Sequence, residues 1–239
     1  MKGAAIVTGG STGIGLAIAR TLAAEGFDLT VASRQRDRIE AAAEDLRASG
    51  AEVRAVAVNL SESESITELV SGHADAYCRL DVLVNNAGMG APAAVGELVD
   101  KHVDLQLDVN LRAIMLSYRE ALPYLKAAAA ERGSALVVNV ASMTAWYPEP
   151  PLSVYAATKA GIVNFTKSMN LELSAGGIRS TALCPGVVDT EMTEYLRDEV
   201  DRGAMIDADD VAGAVRWLLS TSPRCVVPEI PFVRPGGNP

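Results

Sequence analysis

Tyr155 and Lys159 stand four positions apart, and in a helix that spacing places both side chains on one face, a turn from each other. A free phenol has a pKa of about 10, too high for ready proton exchange at neutral pH. An ammonium one turn away, together with the positive charge on an oxidised hydride donor, favours the phenolate and lowers that value. Ser142 lies upstream, just past a β-like run, where its hydroxyl can donate to a carbonyl oxygen and polarise it. Together these three side chains hold the parts needed to protonate an alkoxide as hydride reaches a carbonyl carbon, or to run the step in reverse. A tyrosine and lysine at this spacing are more often a solvated helix face. The reading therefore turns on the elements that would hold them and on a place for a hydride donor.

That place is offered at the start of the chain. Ala4–Thr8 is a short apolar run leading into Gly9-Gly10-Ser11-Thr12-Gly13-Ile14-Gly15, and a helical pattern begins at once. Glycine permits positive φ and leaves no side chain between backbone and ligand. The N–H groups at the new helix's N-terminus can face a pyrophosphate, with the helix dipole favouring its charge. Gly15 would let the helix pack close on the strand. The spacing is Gly-x-x-x-Gly-x-Gly, which differs from the common Gly-x-Gly-x-x-Gly dinucleotide fingerprint.

Seven strand-like runs alternate with helical patterns: Ala4–Thr8, Asp28–Ser33, Val53–Val58, Val82–Asn85, Ala135–Val140, Ile178–Cys184 and one near Val227–Phe232. Several are apolar at consecutive positions, as strands covered on both faces of a parallel sheet should be. Between them, Gly15–Glu25, Asp37–Ser49, Ser63–Tyr77, Lys101–Ala130, Val154–Ala175 and Ala208–Ser220 carry apolar residues at helical spacing. Pro123 is expected to kink or interrupt the longest. The order predicts an α/β fold, a doubly wound parallel sheet in one domain spanning residues 1–239.

Bulk properties narrow the partners. A formal charge of −9 argues against a nucleic-acid-binding face. No run of roughly 18 apolar residues suggests a membrane span, and the short apolar N-terminus lacks a signal-peptide cleavage pattern. Three scattered cysteines and two histidines, His73 and His102, both in polar helical surroundings, suit neither a disulfide framework nor a metal site. Cys184 reads as a small buried hydrophobe. A cytoplasmic protein is expected.

Thr8-Gly9-x-x-x-Gly13-x-Gly15, Asn85-Asn86-Ala87-Gly88, Ser142, Tyr155-x-x-x-Lys159 and Pro185-Gly186-Val187-Val188-Asp189-Thr190 resemble, in order, the motifs of the short-chain dehydrogenases/reductases, most nearly their 3-oxoacyl-carrier-protein reductase-like members. The resemblance covers essentially the whole chain. It implies a Rossmann-like sheet of about seven strands binding NAD or NADP. It also implies that Lys159 hydrogen-bonds the nicotinamide ribose and that Asn110 holds a water linking the lysine to solvent. Backbone at Pro185, Gly186 and Val188, with Thr190, would meet the nicotinamide carboxamide. Asn86, Ala87 and Gly88 would lie along the adenosine side. After the third strand the family usually has an aspartate at the adenine; here Asn59-Leu60 stand there, and the asparagine carbonyl can still accept that hydrogen bond. A homotetramer or homodimer is implied, and residues 190–205 correspond to the family's substrate lid.

The second strand ends at Ser33-Arg34. An acidic residue at its end would repel a ribose 2′-phosphate; serine removes the repulsion, and a guanidinium is shaped to pair with phosphate. NADP(H) is therefore the expected cofactor, with NAD(H) the alternative. Ser11 and Thr12 could add hydroxyl donors. The segment Met143–Leu152, stiffened by prolines, offers Trp146 and Tyr147 as apolar contacts for a small-molecule carbonyl or alcohol. Met89 and the Gly90–Ala94 stretch would form the opposite wall, and Met192, Tyr195 and Leu196 are the inward residues of the lid. Two other readings stand beside this one: an NAD-dependent alcohol dehydrogenase, and a dinucleotide sensor without turnover. The filled positions Asn110, Ser142, Tyr155 and Lys159 speak against the sensor.

Overall fold

A computed structural model describes residues 2–196 and 200–236. Its strands are β1 (Ala4–Thr8), β2 (Asp28–Ser33), β3 (Val53–Ala57), β4 (Val82–Asn85), β5 (Ala135–Val140), β6 (Ile178–Pro185) and β7 (Glu229–Phe232). They form one sheet in the order β3-β2-β1-β4-β5-β6-β7, every pair parallel. Strand order reverses between β1 and β4, and in such sheets the crevice at the strands' carboxyl ends takes the ligand. The helices are α1 (Gly13–Ala24), α2 (Arg36–Arg47), α3 (Ser63–Tyr77), α4 (Asp100–Leu107), α5 (Ala113–Arg132), α6 (Ser153–Leu173) and α7 (Ala208–Ser220).

The apolar runs become strands because both sheet faces are covered. In β1, Ala5 and Val7 join the core under α1, α2 and α7, whereas Ile6 points to the opposite core under α3 and α5. Every residue of β1, β5 and β6 is buried. Asparagines tie the central strands at the ligand end: Asn85 Nδ2 donates to Asn139 Oδ1 at 2.9 Å, and Asn139 Nδ2 donates to Thr166 Oγ1 on α6 at 2.9 Å.

Two sequence expectations change. The long helix is interrupted not at Pro123, which lies inside α5, but at a π-helical turn over Asp108–Arg112. Such a turn inserts an extra residue and re-aims a side chain, here Asn110. His73 is not in polar surroundings either. It is fully buried, its Nδ1 sharing a hydrogen bond of 2.8 Å with Thr30 Oγ1 of β2. Among the described residues no helix is long and apolar enough to cross a membrane, and no cluster of His, Cys, Asp or Glu could hold a metal ion. All three cysteines are free, and Cys184 is buried.

Candidate active site

Two cavities meet at the carboxyl edge of the sheet. The first, of about 560 Å³, is an elongated cleft. At one end it is lined by Ser33, Arg34 and Leu60; its middle is formed by Gly9, Ser11, Thr12, Gly13 and Ile14 against Asn86, Ala87 and Gly88. Its other end reaches Ser142, Tyr155 and Lys159, with Pro185 and Thr190 on the facing wall. The second cavity, of about 920 Å³, opens from the same Ser142 and Tyr155 and continues past Met143, Tyr147, Leu152 and Phe232. Gly90 and Met192 line both.

The glycine loop has this shape for specific reasons. Gly9 sits at φ +64°, and a Cβ there would lie 2.6 Å from Asn86 Nδ2 and 3.0 Å from the Ala87 Cα. Asn86 Nδ2 donates to the carbonyls of Thr8 and Gly9, both at 3.1 Å, and Thr8 Oγ1 accepts from the N–H groups of Asn86 and Ala87 at 3.0 and 3.2 Å. Thr8 and Asn86 thus clamp the loop after β1 to the loop after β4. Gly15 does not line the cleft. A Cβ there would come within 2.2 Å of the Gly9 carbonyl oxygen, so its smallness lets α1 seat against the loop.

At the catalytic end, Tyr155 and Lys159 share a face of α6, and Lys159 Nζ lies 5.4 Å from the Tyr155 ring centroid. The ammonium is buried and donates to the Val140 carbonyl at 2.8 Å. Ser142, also buried, caps a short 3-10 turn, its Oγ accepting from Thr144 N at 3.2 Å. Asn110 sits behind the cleft floor, fully buried. Its Nδ2 donates to the Met89 carbonyl at 2.8 Å and to Thr158 Oγ1 at 3.1 Å, while its Oδ1 accepts from Met89 N at 2.8 Å. A Cβ on Gly88 would be 3.4 Å from both Asn110 Oδ1 and Lys159 Nζ, so the two polar groups approach each other over that glycine.

Other expected residues lie elsewhere. Asn59 does not line the cleft; its Oδ1 accepts from Ser61 N and Oγ at 3.2 and 2.9 Å, and its Nδ2 donates to Glu62. A local turn has taken the carbonyl that adenine would need. Val188 is buried, in a bridge to Ile206, and Gly186 faces the second cavity. Of the two loop aromatics, Tyr147 lines that cavity while Trp146 packs on the cluster around Ile114 and Ile162. Met192, Tyr195 and Leu196 line it from the lid segment, and Gly90 and Pro92 from the opposite side. Arg197, Asp198 and Glu199 of that segment lie outside the described residues. Sequence reading missed the contribution of Phe232, Val233 and Arg234. The available signal was that they follow the last strand, whose carboxyl end falls on the ligand edge.

A family model described as short chain dehydrogenase matches residues 3–201. The chain belongs to the short-chain dehydrogenase family. A 3-oxoacyl-[acyl-carrier-protein] reductase of Staphylococcus aureus is 29% identical over 245 residues, covering 99% of this chain and 98% of the relative. Among solved structures, an alcohol dehydrogenase from the archaeon Thermococcus sibiricus complexed with 5-hydroxy-NADP superposes with a TM-score of 0.87 at 29% identity, over 97% of this chain and 96% of the other. A 3-ketoacyl-(acyl-carrier-protein) reductase from Brucella melitensis complexed with NADH gives 0.87 at 28% identity, over 96% of each chain. As a family member the protein is an NAD(P)-dependent oxidoreductase.

The dehydrogenase's cleft fits a dinucleotide on its own features. Thr12, the residue before α1, is extended and makes no side-chain cap to the helix, so first-turn N–H groups of α1 are left to face the cleft and suit a pyrophosphate. The electrostatics of the catalytic end modify the sequence expectation. Burial pushes the Tyr155 phenol up to about 12; a Ser142 hydrogen bond opposes this and Tyr195 adds to it. Burial pushes Lys159 down to about 8. Within the polypeptide alone, loss of solvation is the largest influence on both groups; the expected lowering of the phenol depends also on the oxidised nicotinamide.

Proposed function

We propose that this short-chain dehydrogenase reduces the carbonyl of a small, largely apolar molecule with NADPH as hydride donor, with Tyr155 as general acid. The observation that carries the reading is the convergence of Ser142 and Tyr155 at the junction of a dinucleotide-shaped cleft and a second, mostly apolar cavity.

NADPH, when bound, supplies the hydride. Ser142 donates to the carbonyl oxygen and holds it toward Tyr155. As charge grows on that oxygen, the Tyr155 hydroxyl gives up its proton, and the Lys159 ammonium, 5.4 Å from the ring, stabilises the phenolate left behind. Asn110, fixed by Met89 and Thr158, positions the route by which protons return to the pair. Gly9, Ser11, Thr12, Gly13 and Ile14 hold the pyrophosphate. Arg34, exposed at the adenosine end of the cleft, pairs with the 2′-phosphate, and Lys159 with the nicotinamide ribose. Thr190 and the backbone of Val188 would orient the carboxamide.

We also propose a homodimer or homotetramer. Leu107 (41% exposed), Met115 (39%) and Leu171 (90%) on α4, α5 and α6 support it, being large apolar side chains left in solvent. A cytoplasmic setting is supported by three free cysteines.

The test is a screen of ketones, quinones and β-ketoacyl thioesters with NADPH, followed by loss of nicotinamide absorbance. Tyr155→Phe should reduce turnover about 10²- to 10⁴-fold while leaving NADPH affinity intact. Undiminished turnover in Y155F would overturn the mechanism.

A further inference from the structure

Arg38, in the first turn of α2, and Glu191, at the head of the lid segment, form an ion pair with Nη1 to Oε2 at 2.7 Å. Both line the dinucleotide cleft, as do Arg34 and Gln35 just after β2. The pair joins residues 153 positions apart and thus bridges the cleft, from α2, which follows Arg34 at the adenosine end, to the lid segment, which follows Thr190. Its members are 52% and 59% exposed, so the contact is weak and exchangeable.

A ribose 2′-phosphate at this end would carry about −1.5 to −2 charges and three acceptor oxygens at neutral pH. One guanidinium, that of Arg34, neutralises only part of that charge. Arg38 is the next cation in the cleft wall, and the carboxylate it holds carries a single charge. A phosphate offers it the stronger, bidentate partner.

We propose that Arg38 is a second ligand of the 2′-phosphate and that Glu191 occupies its place until the phosphate displaces it. Glu191 is then an internal competitor that sets the preference between NADP(H) and NAD(H). The proposal rests on the NADP(H) reading above. NAD(H), without the phosphate, leaves the Arg38–Glu191 pair intact. Met192, next to Glu191, walls both cavities, so the displaced carboxylate belongs to the segment that also bounds the substrate.

The experiment measures dissociation constants of NADPH, NADH, adenosine 2′,5′-bisphosphate and adenosine 5′-diphosphate by fluorescence or calorimetry. The proteins are wild type, Glu191→Gln, Arg38→Ala and the double variant. Glu191→Gln should tighten NADPH and the 2′,5′-bisphosphate about three- to fivefold, the scale of an exposed ion pair, and leave the other two ligands within about twofold. Arg38→Ala should weaken the two 2′-phosphate ligands roughly tenfold or more and abolish the effect of E191Q. If E191Q weakens all four ligands alike, the pair is a strap over the cleft and the proposal is overturned. An unchanged NADPH affinity in E191Q, or an equal loss for NADPH and NADH in R38A, overturns it too. Wild type binding NADH as tightly as NADPH would instead defeat the cofactor reading itself, and this proposal with it.

Discussion

Gly9 offers a perturbation whose size follows from geometry. In Gly9→Ala the residue must keep φ +64°, which costs a non-glycine residue about 1–2 kcal/mol. The new Cβ would also sit 2.6 Å from Asn86 Nδ2, closer than atoms tolerate, so the amide has to leave. Its bonds to the Thr8 and Gly9 carbonyls are worth about 1 kcal/mol each. The expected destabilisation is therefore about 3–4 kcal/mol. Gly26 provides the matched control, with φ +85° and nothing within 4 Å of a Cβ; Gly26→Ala should lose only the strain, about 1–2 kcal/mol. Denaturant unfolding of both variants measures the difference. Because Gly9, Asn86 and Ala87 all line the cleft, G9A should also weaken NADPH binding by roughly one to two orders of magnitude, whereas G26A should not. Asn86→Ala in the G9A background removes the colliding atom, so the double variant should cost less than its two members added. Equal stability losses in G9A and G26A, or strict additivity with N86A, would refute the clamp.

Three further outcomes are expected. The alkaline limb of the kcat/KM profile for carbonyl reduction should fall near pH 8, where Lys159 loses its proton, well below Tyr155 at about 12; Lys159→Arg should move that limb upward, since arginine does not titrate there, and a wild-type limb near 10 would contradict the assignment. Burial lowers His73 from 6.5 to about 4, so as pH falls below 6.5 the unfolded chain takes up a proton that the folded one refuses. Stability is then complete above 6.5 and lost toward 4, by about 3 kcal/mol, and His73→Gln should flatten that slope in urea midpoints measured across the range. Arg34→Ala should raise the Kd for NADPH about tenfold or more with little change for NADH; an unchanged NADPH affinity would remove Arg34 from the phosphate site.

Which parts of this protein were legible in its sequence follows from the range of the forces involved. The strands were readable within a residue or two because burial on both faces demands unbroken apolar runs, as in β1 and β6. The glycine loop, Ser142 and the Tyr155–Lys159 pair were readable because their geometry is set by local backbone and helical spacing. At Asn59 the structure adds what its position alone did not tell: Ser61 and Glu62 are near enough to engage its amide in a local turn. The π turn and the direction of Asn110 were not readable, since they depend on Met89 and Thr158, 21 and 48 positions away. The same holds for the electrostatics. Spacing alone placed an ammonium beside a phenol and so predicted a lowered pKa, but spacing carries no information on how dry the pair is. Once α6 packs against β6 and the ammonium is used by the Val140 carbonyl, desolvation is the largest influence on the pair in the polypeptide alone and pushes the Tyr155 phenol up.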